Sequence, residues 1–313
     1  MSPTTNTPGI YTEAQLSMDA YHGCRQIVGR SCLKTLDEGV PADARRYLDQ
    51  PSNSGTAAMA FGTAVQACLR SKAHFMESYI RQPVFAGPNA DPEFKGEGSR
   101  ARAAAWKEAH ADKIQLPASD YDQVLEAARE VKATPSAAKL LNIPDLEHES
   151  SLIWSEEKHG GRLVKARPDF MSRSFGISAD LKVDGRGDLS DRKLAEYVTA
   201  YYAHLQGAMC MRGMIANGLP FKAHVLIVVR RGLPVKCRTV VMKLSDVQQP
   251  SWLECAEAQF DALLAEFVKC EHTGSWPDYG DQGTTLPVPA YVASKLSGYQ
   301  ERLERATPQE SAA

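Results

Sequence analysis

Residues 167–182 read RPDFMSRSFGISADLK, and this stretch decides the fold that the sequence predicts. It contains Asp169 after a proline, and it ends with Asp180 and Lys182 on either side of Leu181. Its second half has the residue pattern of a strand, in which alternate side chains share a face. We therefore expect Asp180 and Lys182 to project together, and Leu181 to point into the opposite layer.

The segments around this stretch are helix-like or strand-like in turn. Apolar residues at helical spacing predict helices at 56–72, 100–111, 119–134, 189–215 and 252–270. Short apolar runs between turn signals predict strands at 151–154, 162–167, 175–183, 223–230 and 235–242. The last two strands are expected to form a hairpin. This order predicts an α/β fold in one domain, with a helical N-terminal portion that covers the sheet.

Composition and charge set outer bounds on function. The chain has 313 residues, a hydrophobic content of 43% and a formal net charge of −2. The bulk charge does not indicate a nucleic-acid partner, and it does not exclude one, because a basic channel can lie on a near-neutral protein. We find no signal peptide and no apolar run of membrane-spanning length, so we expect no membrane partner. The seven cysteines form no CxxC pair, which predicts a reducing, cytoplasmic compartment.

Acids and a lysine fall on the predicted strand cluster. Glu149 precedes its first strand, Asp169 follows its second, and Asp180 and Lys182 lie on its third. Such oxygen ligands suit Mg²⁺, with Mn²⁺ as a substitute, and divalent ions activate water for phosphodiester hydrolysis. We predict Asp169 and Asp180 as metal ligands, with the Leu181 carbonyl as a further one. Lys182 is the predicted catalytic lysine, and Glu149 a ligand to a second metal or through water.

An acid two residues from a lysine is by itself weak evidence for a catalytic site, because such a pair usually lies solvated on a surface. The preceding Arg-Pro-Asp, the strand context and the short separation between Asp169 and Asp180 favour a functional site. Basic residues near the acids, among them Lys165 and Arg167, are predicted to contact DNA phosphates without reading bases. Pairing of Arg167 with Glu149 is the alternative.

These motifs, in this order, resemble the exonuclease VIII (RecE) family of phage exodeoxyribonucleases, within the PD-(D/E)XK nuclease superfamily. The resemblance covers about residues 20 to 280. It implies a PD-(D/E)XK (restriction-endonuclease-like) core, in which helices flank a central mixed sheet. The matching segments are 21–22, 31–34, 59–66, 149–154, 167–169, 180–182, 201–206 and 276–280.

The resemblance implies a domain organisation and an activity. We expect a disordered N-terminal tail at 1–12, a single nuclease domain at 13–285 and a partly disordered C-terminal helix or tail at 286–313. The implied activity is Mg²⁺-dependent exonuclease digestion of double-stranded DNA ends, 5′ to 3′, which leaves single strands for phage-type recombination. The same resemblance implies a homo-oligomeric ring around the duplex and a RecT-like single-strand annealing recombinase as partner. It also implies the cytoplasm of a bacterial host as the location.

The resemblance also assigns residues in two helices. Gln66 stands where the family usually has a histidine near the second metal. A glutamine still offers a carbonyl oxygen, so Gln66 is a candidate ligand, and the number of metals stays open. His74 is expected on the surface. Tyr202 and Gln206, at positions i and i+4, are implied to flank the active site and contact DNA.

Other functions stay open at this stage. One is a nuclease with the same core but another polarity or substrate. Another is a catalytically impaired module that binds DNA ends or assists assembly; the intact acids and Lys182 argue against it, while Gln66 leaves it open. The absence of a cysteine cluster argues against an iron–sulfur nuclease, and no Cys or His pattern supports a structural metal domain.

Overall fold

A computed structural model describes residues 7–50, 57–185, 188–244 and 250–280. The chain forms two compact units, Met1–Asp278 and Tyr279–Ala313, and all elements below belong to the first. The helices are α1 Met18–Gly23, α2 Arg30–Glu38, α3 Pro41–Asp49, α4 Ala57–Arg70, α5 Lys72–Ser78, α6 Ser99–Ala109, α7 Ala118–Ala133, α8 Pro135–Leu141, α9 Asp191–Ala200, α10 Ala203–Ala216 and α11 Trp252–Thr273. Among these described residues, no helix is long and apolar enough to span a membrane.

The strands form two main sheets and a small parallel pair. They are β1 Gly9–Tyr11, β2 Val28–Gly29, β3 Tyr79–Arg81, β4 Ile114–Leu116, β5 Leu146–His148, β6 Ser151–Glu156, β7 Arg162–Ala166, β8 Phe170–Ser172, β9 Ile177–Asp184, β10 Ala223–Arg230 and β11 Lys236–Met242. One sheet has the order β11-β10-β9-β8-β5, the second β1-β6-β7-β2, and the pair is β3-β4. The predicted α/β class and the helical N-terminal portion are confirmed.

The five-stranded sheet carries Asp180 and Lys182. Its central strand β9 runs parallel to β10 and antiparallel to β8, with Asp180 beside Leu226 and Lys182 beside Val228. The apolar run of β10 is typical of a strand that is buried on both faces. The predicted hairpin is confirmed, because β10 and β11 pair antiparallel.

The predicted single strand cluster is divided between the two sheets. β6 and β7 form an antiparallel hairpin in the four-stranded sheet, and its turn includes Gly160 and Gly161, both with positive φ. β1 pairs with the outer edge of β6, so strand structure begins inside the predicted tail at 1–12. The chain crosses from one sheet to the other at residues 167–169, between β7 and β8. Periodicity identifies a strand, but it does not identify the sheet that the strand joins.

The prediction of one continuous helix at 189–215 is wrong. The chain forms two helices there, α9 and α10, which are separated at Tyr201 and Tyr202. Tyr202 has a φ of 54°, in the left-handed region, and its hydroxyl donates to Asp37 at 2.5 Å. This tertiary contact holds a conformation that local helix propensity does not favour. Helix α10 is buried along most of its length and packs against strands of both sheets.

Two glycines let α10 approach the strands closely. A Cβ at Gly207 would lie 3.1 Å from Cδ2 of His224, and one at Gly213 would lie 2.9 Å from Cζ3 of Trp154. Both helix–strand contacts therefore need a residue without a side chain.

Gly213→Ala is expected to destabilise the protein. The new methyl group would overlap the rigid Trp154 ring and Cβ of Leu152, and such overpacking costs about 1–3 kcal/mol. Gly23→Ala is the matched control, because it also adds a methyl group within a helix but meets no heavy atom within 4 Å. The free energy of unfolding in urea should be lower for Gly213→Ala than for Gly23→Ala by that amount. Equal values would contradict the close packing.

Candidate active site

Asp169, Asp180 and Lys182 meet at the centre of the five-stranded sheet. Nζ of Lys182 lies 3.4 Å from Oδ1 of Asp180, which confirms that the two side chains project together from β9. Leu181 is buried in the core on the opposite face, as predicted. The backbone N–H of Leu181 donates to Oδ2 of Asp169 at 2.7 Å, and this bond holds Asp169 beside β9.

The two carboxylates are coupled electrostatically. Burial raises the pKa of Asp169, and the negative charge of Asp180 raises it further. Burial opposes ionisation of Asp180 too, but the Lys182 ammonium and His224 keep the pKa of that carboxyl below its usual value. The two neighbouring carboxylates therefore resist ionising together, and a further positive charge between them would favour the doubly ionised state.

The donor atoms at this point fit a hard divalent cation. Oε1 of Gln206 is buried without a hydrogen-bond donor, next to the Asp180 carboxylate that Nε2 of Gln206 contacts. Buried oxygens normally have partners, and here a cation would supply one. An extended residue directs its N–H and C=O to the same strand edge, so the Leu181 carbonyl lies on the Asp169 side of β9. The roles of Asp169, Asp180 and Leu181 as metal ligands stay predictions.

Gln206 reaches the acids, whereas Tyr202 has another partner. Nε2 of Gln206 donates to Oδ1 of Asp180 at 2.7 Å, one of the shortest polar contacts of that carboxylate. Tyr202 lies at the N-cap of α10, and its hydroxyl donates to Asp37. The predicted DNA contacts of Tyr202 and Gln206 stay predictions, and for Tyr202 the Asp37 bond would have to break first.

Glu149 lies between the acids and a second cavity. Its backbone N–H donates to the Asp169 carbonyl at 3.1 Å, and burial raises the pKa of its side chain. Gln66 and Glu149 both line a cavity of about 210 Å³, where the side chain of Gln66 faces Glu149 and partly offsets the burial that raises the pKa of Glu149. His74 is exposed, as expected, but it lines the same cavity as Gln66. A second-metal role for Gln66 or Glu149 is not tested by these contacts.

Lys165 and Arg167, which were predicted to contact DNA phosphates, are buried and donate hydrogen bonds to backbone carbonyls of the N-terminal segment. Nζ of Lys165 donates to the carbonyls of Tyr21 and Cys24 at 2.6 and 2.7 Å, and burial lowers the pKa of Lys165 to about 8. Nη1 of Arg167 donates to the Leu16 carbonyl at 3.0 Å. These bonds anchor residues 16–24 against β7, and contact of either side chain with DNA stays a prediction.

The guanidinium group of Arg167 has hydrogen-bond donors without an acceptor at the site. Its Nη2 lies 3.4 Å from Oε2 of Glu149, so the pairing considered as the alternative is present. Its Nε and Nη2 nevertheless have no hydrogen-bond acceptor. A cavity of about 290 Å³ is lined by five of the predicted site residues, namely Glu149, Lys165, Arg167, Asp169 and Gln206.

Sequence reasoning missed two buried polar residues behind Asp180, His224 and Ser178. Nε2 of His224 lies 3.2 Å from Oδ2 of Asp180, and its Nδ1 lies 2.9 Å from Oγ of Ser178. Cys210 lies one helical turn after Gln206 and, like His224, is fully buried. His224 was detectable as a polar residue at the start of an otherwise apolar strand, but its partner was not.

Comparison with known proteins agrees with this architecture. A family described as a PDDEXK-like domain of unknown function (DUF3799) matches residues 29–285, most of the chain. The chain belongs to this PDDEXK-like family. A separate comparison with curated proteins found no match.

A solved structure shares the fold. The crystal structure of a "Putative exonuclease" from Eubacterium rectale is 12% identical, with a TM-score of 0.55. The similarity covers 90% of this chain and 98% of that one. At this identity the likeness establishes the fold, and together with the family match it confirms the predicted PD-(D/E)XK core.

Proposed function

We propose that this PDDEXK-like domain is a metal-dependent nuclease that hydrolyses phosphodiester bonds of DNA. The observation that carries the proposal is the pair of neighbouring carboxylates, buried Asp180 and half-buried Asp169, with Lys182 at 3.4 Å from Asp180. Such an acid pair is costly to maintain for stability alone, because burial and mutual repulsion both oppose its ionisation. Such perturbed groups beside a cavity favour a functional site.

The residues divide the chemistry between them. Asp169 and Asp180 would hold the cation, with the Leu181 carbonyl as a further ligand, and a bound Mg²⁺ would supply Lewis-acid activation of water and phosphate. The Lys182 ammonium would orient the attacking water and stabilise negative charge on the phosphate oxygens. Gln206 would keep the Asp180 carboxylate in one orientation through its 2.7 Å bond.

The finer assignment is an exonuclease that digests double-stranded DNA from its ends, 5′ to 3′, with Mg²⁺ or Mn²⁺. The Eubacterium rectale structure with the same fold bears the name exonuclease, and the motifs resemble the exonuclease VIII family. On the same resemblance we propose a ring-shaped homo-oligomer that acts in the cytoplasm with a RecT-like annealing recombinase in phage-type recombination. A ring would retain the duplex without a large positive charge on the chain.

A digestion assay tests metal dependence and end dependence together. Linear and closed-circular duplexes are incubated with Mg²⁺ or with EDTA, and the linear duplex carries a label at its 5′ or its 3′ ends. We expect loss of linear DNA only, in Mg²⁺ only, with early release of the 5′ label. Cleavage of circles would show an endonuclease, early 3′ release would reverse the polarity, and no cleavage with DNA still bound would indicate an impaired end-binding module.

A further inference from the structure

A second group of potential metal ligands lies behind the proposed active site. One ligand atom each from Asp180, Cys210 and His224 lies within 4.8 Å of the others, and all three residues are buried. Asp180 and His224 come from adjacent parallel strands, and Cys210 comes from α10, which packs on them. Carboxylate, thiol and imidazole together form a softer ligand set than the oxygen donors facing Asp169.

Two of these ligand atoms lack hydrogen-bond partners. Oδ2 of Asp180 and Nε2 of His224 are 3.2 Å apart, but their mutual geometry does not form a hydrogen bond, and each is buried. Two ligands at about 2.0–2.1 Å from a tetrahedral Zn²⁺ would be separated by about 3.3 Å. The observed separation therefore suits two atoms that share a cation.

The surroundings orient the imidazole for this role. Nδ1 of His224 lies 2.9 Å from Oγ of Ser178, which leaves Nε2 facing Asp180. A hydrogen bond on the other ring nitrogen is how metal-binding histidines are generally held. Gly207 leaves room for the ring on the helix side, because a Cβ there would lie 3.1 Å from Cδ2 of the histidine.

We propose that Asp180, His224 and Cys210 form a second site, selective for thiophilic divalent cations such as Zn²⁺ or Co²⁺, and that its occupancy inhibits the nuclease. Binding would replace the S–H bond of Cys210 with a sulfur–metal bond, and the thiol proton would leave to solvent. The cation would also engage the carboxylate of Asp180, which the Mg²⁺ site needs. Only the inhibition rests on the proposed nuclease function.

The cavity at the active site gives a route to this second site. Gln206 lines the 290 Å³ cavity with Asp169, and Cys210 follows Gln206 by one turn of α10. Residues four apart on a helix share a face, so Gln206 and Cys210 lie on the same side of α10. Displacement of the Gln206 amide from Asp180 would admit a cation.

A Co²⁺ titration of the EDTA-treated full-length protein tests the site without an activity readout. We expect one equivalent of Co²⁺ to produce the near-ultraviolet charge-transfer absorption of a Co²⁺–thiolate bond in the wild type. Cys210→Ser should lose this absorption, and Cys255→Ser, which changes an exposed cysteine, should retain it. Absence of the absorption in the wild type, or its persistence in Cys210→Ser, would overturn the proposal and leave His224 as a residue that only positions Asp180.

A second titration tests the inhibition. Zn²⁺ is added to the Mg²⁺-dependent digestion, and each variant is normalised to its own rate without Zn²⁺. We expect half-inhibition of Cys210→Ser to need at least about tenfold more Zn²⁺ than the wild type, the loss of about 1.4 kcal/mol of binding free energy. Equal inhibition of the two proteins would overturn the regulatory role.

The folded state and the proposed function have separate checks. Circular dichroism melting confirms that Cys210→Ser is folded, and Cys210→Ala replaces it in both titrations if it is not. A Co²⁺–thiolate absorption in a protein that cleaves no DNA would refute the nuclease proposal but support the second site. Cleavage without the absorption would support the nuclease proposal and refute the second site.

Discussion

Asp180→Asn is expected to lower Mg²⁺-dependent cleavage of linear duplex DNA by about 10³-fold. The amide keeps the size of the side chain but removes the charge that Lys182 and Gln206 surround, with contacts at 3.4 and 2.7 Å. Loss of one preorganised electrostatic group costs about 10²–10³-fold, and loss of a metal ligand adds to that cost. Initial rates of release of labelled nucleotides measure the effect.

DNA binding gives the contrast for this variant. Removal of a negative charge beside the phosphate should leave the Kd for a linear duplex in EDTA unchanged or lower, as fluorescence anisotropy would measure. Asp112→Asn, at an exposed aspartate, is the control and should cleave at the wild-type rate. Wild-type cleavage by Asp180→Asn would remove Asp180 from the site and, with it, the basis of the proposed function.

Lys182→Met is expected to lower cleavage by about 10²–10⁴-fold, which is the usual range for a positioned acid or base. Methionine keeps most of the aliphatic length, so β9 should remain packed while the ammonium group beside Asp180 is lost. Rates measured at saturating DNA separate a lower kcat from weaker binding. Lys139→Met, at an exposed lysine on α8, is the matched control.

A selective rise in KM for Lys182→Met would contradict the proposed role, because it would show that Lys182 binds substrate in the ground state and does not act on the transition state. Lys182→Arg adds a further check. It keeps the charge but changes its geometry, so we expect partial activity if the charge matters more than its placement.

The centre of the candidate site follows from local sequence. Asp180 and Lys182 share a face and Leu181 is in the core because side-chain direction alternates along any strand, whatever surrounds it. The hairpin of β10 and β11 could also be predicted from local sequence, since both strands and the turn lie within 20 consecutive residues, 223–242. The proximity of Gln206 to Asp180 came instead from the family resemblance, because a glutamine on a helix has no local signal for its partner.

The rest of the site depends on the pairing of distant segments. His224 lies beside Asp180 because β10 runs parallel to β9 in a register that places His224 opposite Ser178. That register is set by packing between elements and leaves no pattern in either strand alone. The burial of Lys165 has a similar cause, because its acceptors are the carbonyls of Tyr21 and Cys24, far away in the chain. The break of the long helix at Tyr202 also rests on a distant partner, Asp37.

The crossing at residues 167–169 has a mechanical consequence. Asp169 belongs to neither sheet, since β7 ends at Ala166 in one and β8 begins at Phe170 in the other. Among the described residues, the hydrogen bond from the Leu181 N–H joins its carboxylate to β9. Sliding of one sheet over the other would therefore change the gap between the two acids. We expect a substitution in the distant layer that holds α10 to alter the proposed cleavage without touching a reacting group.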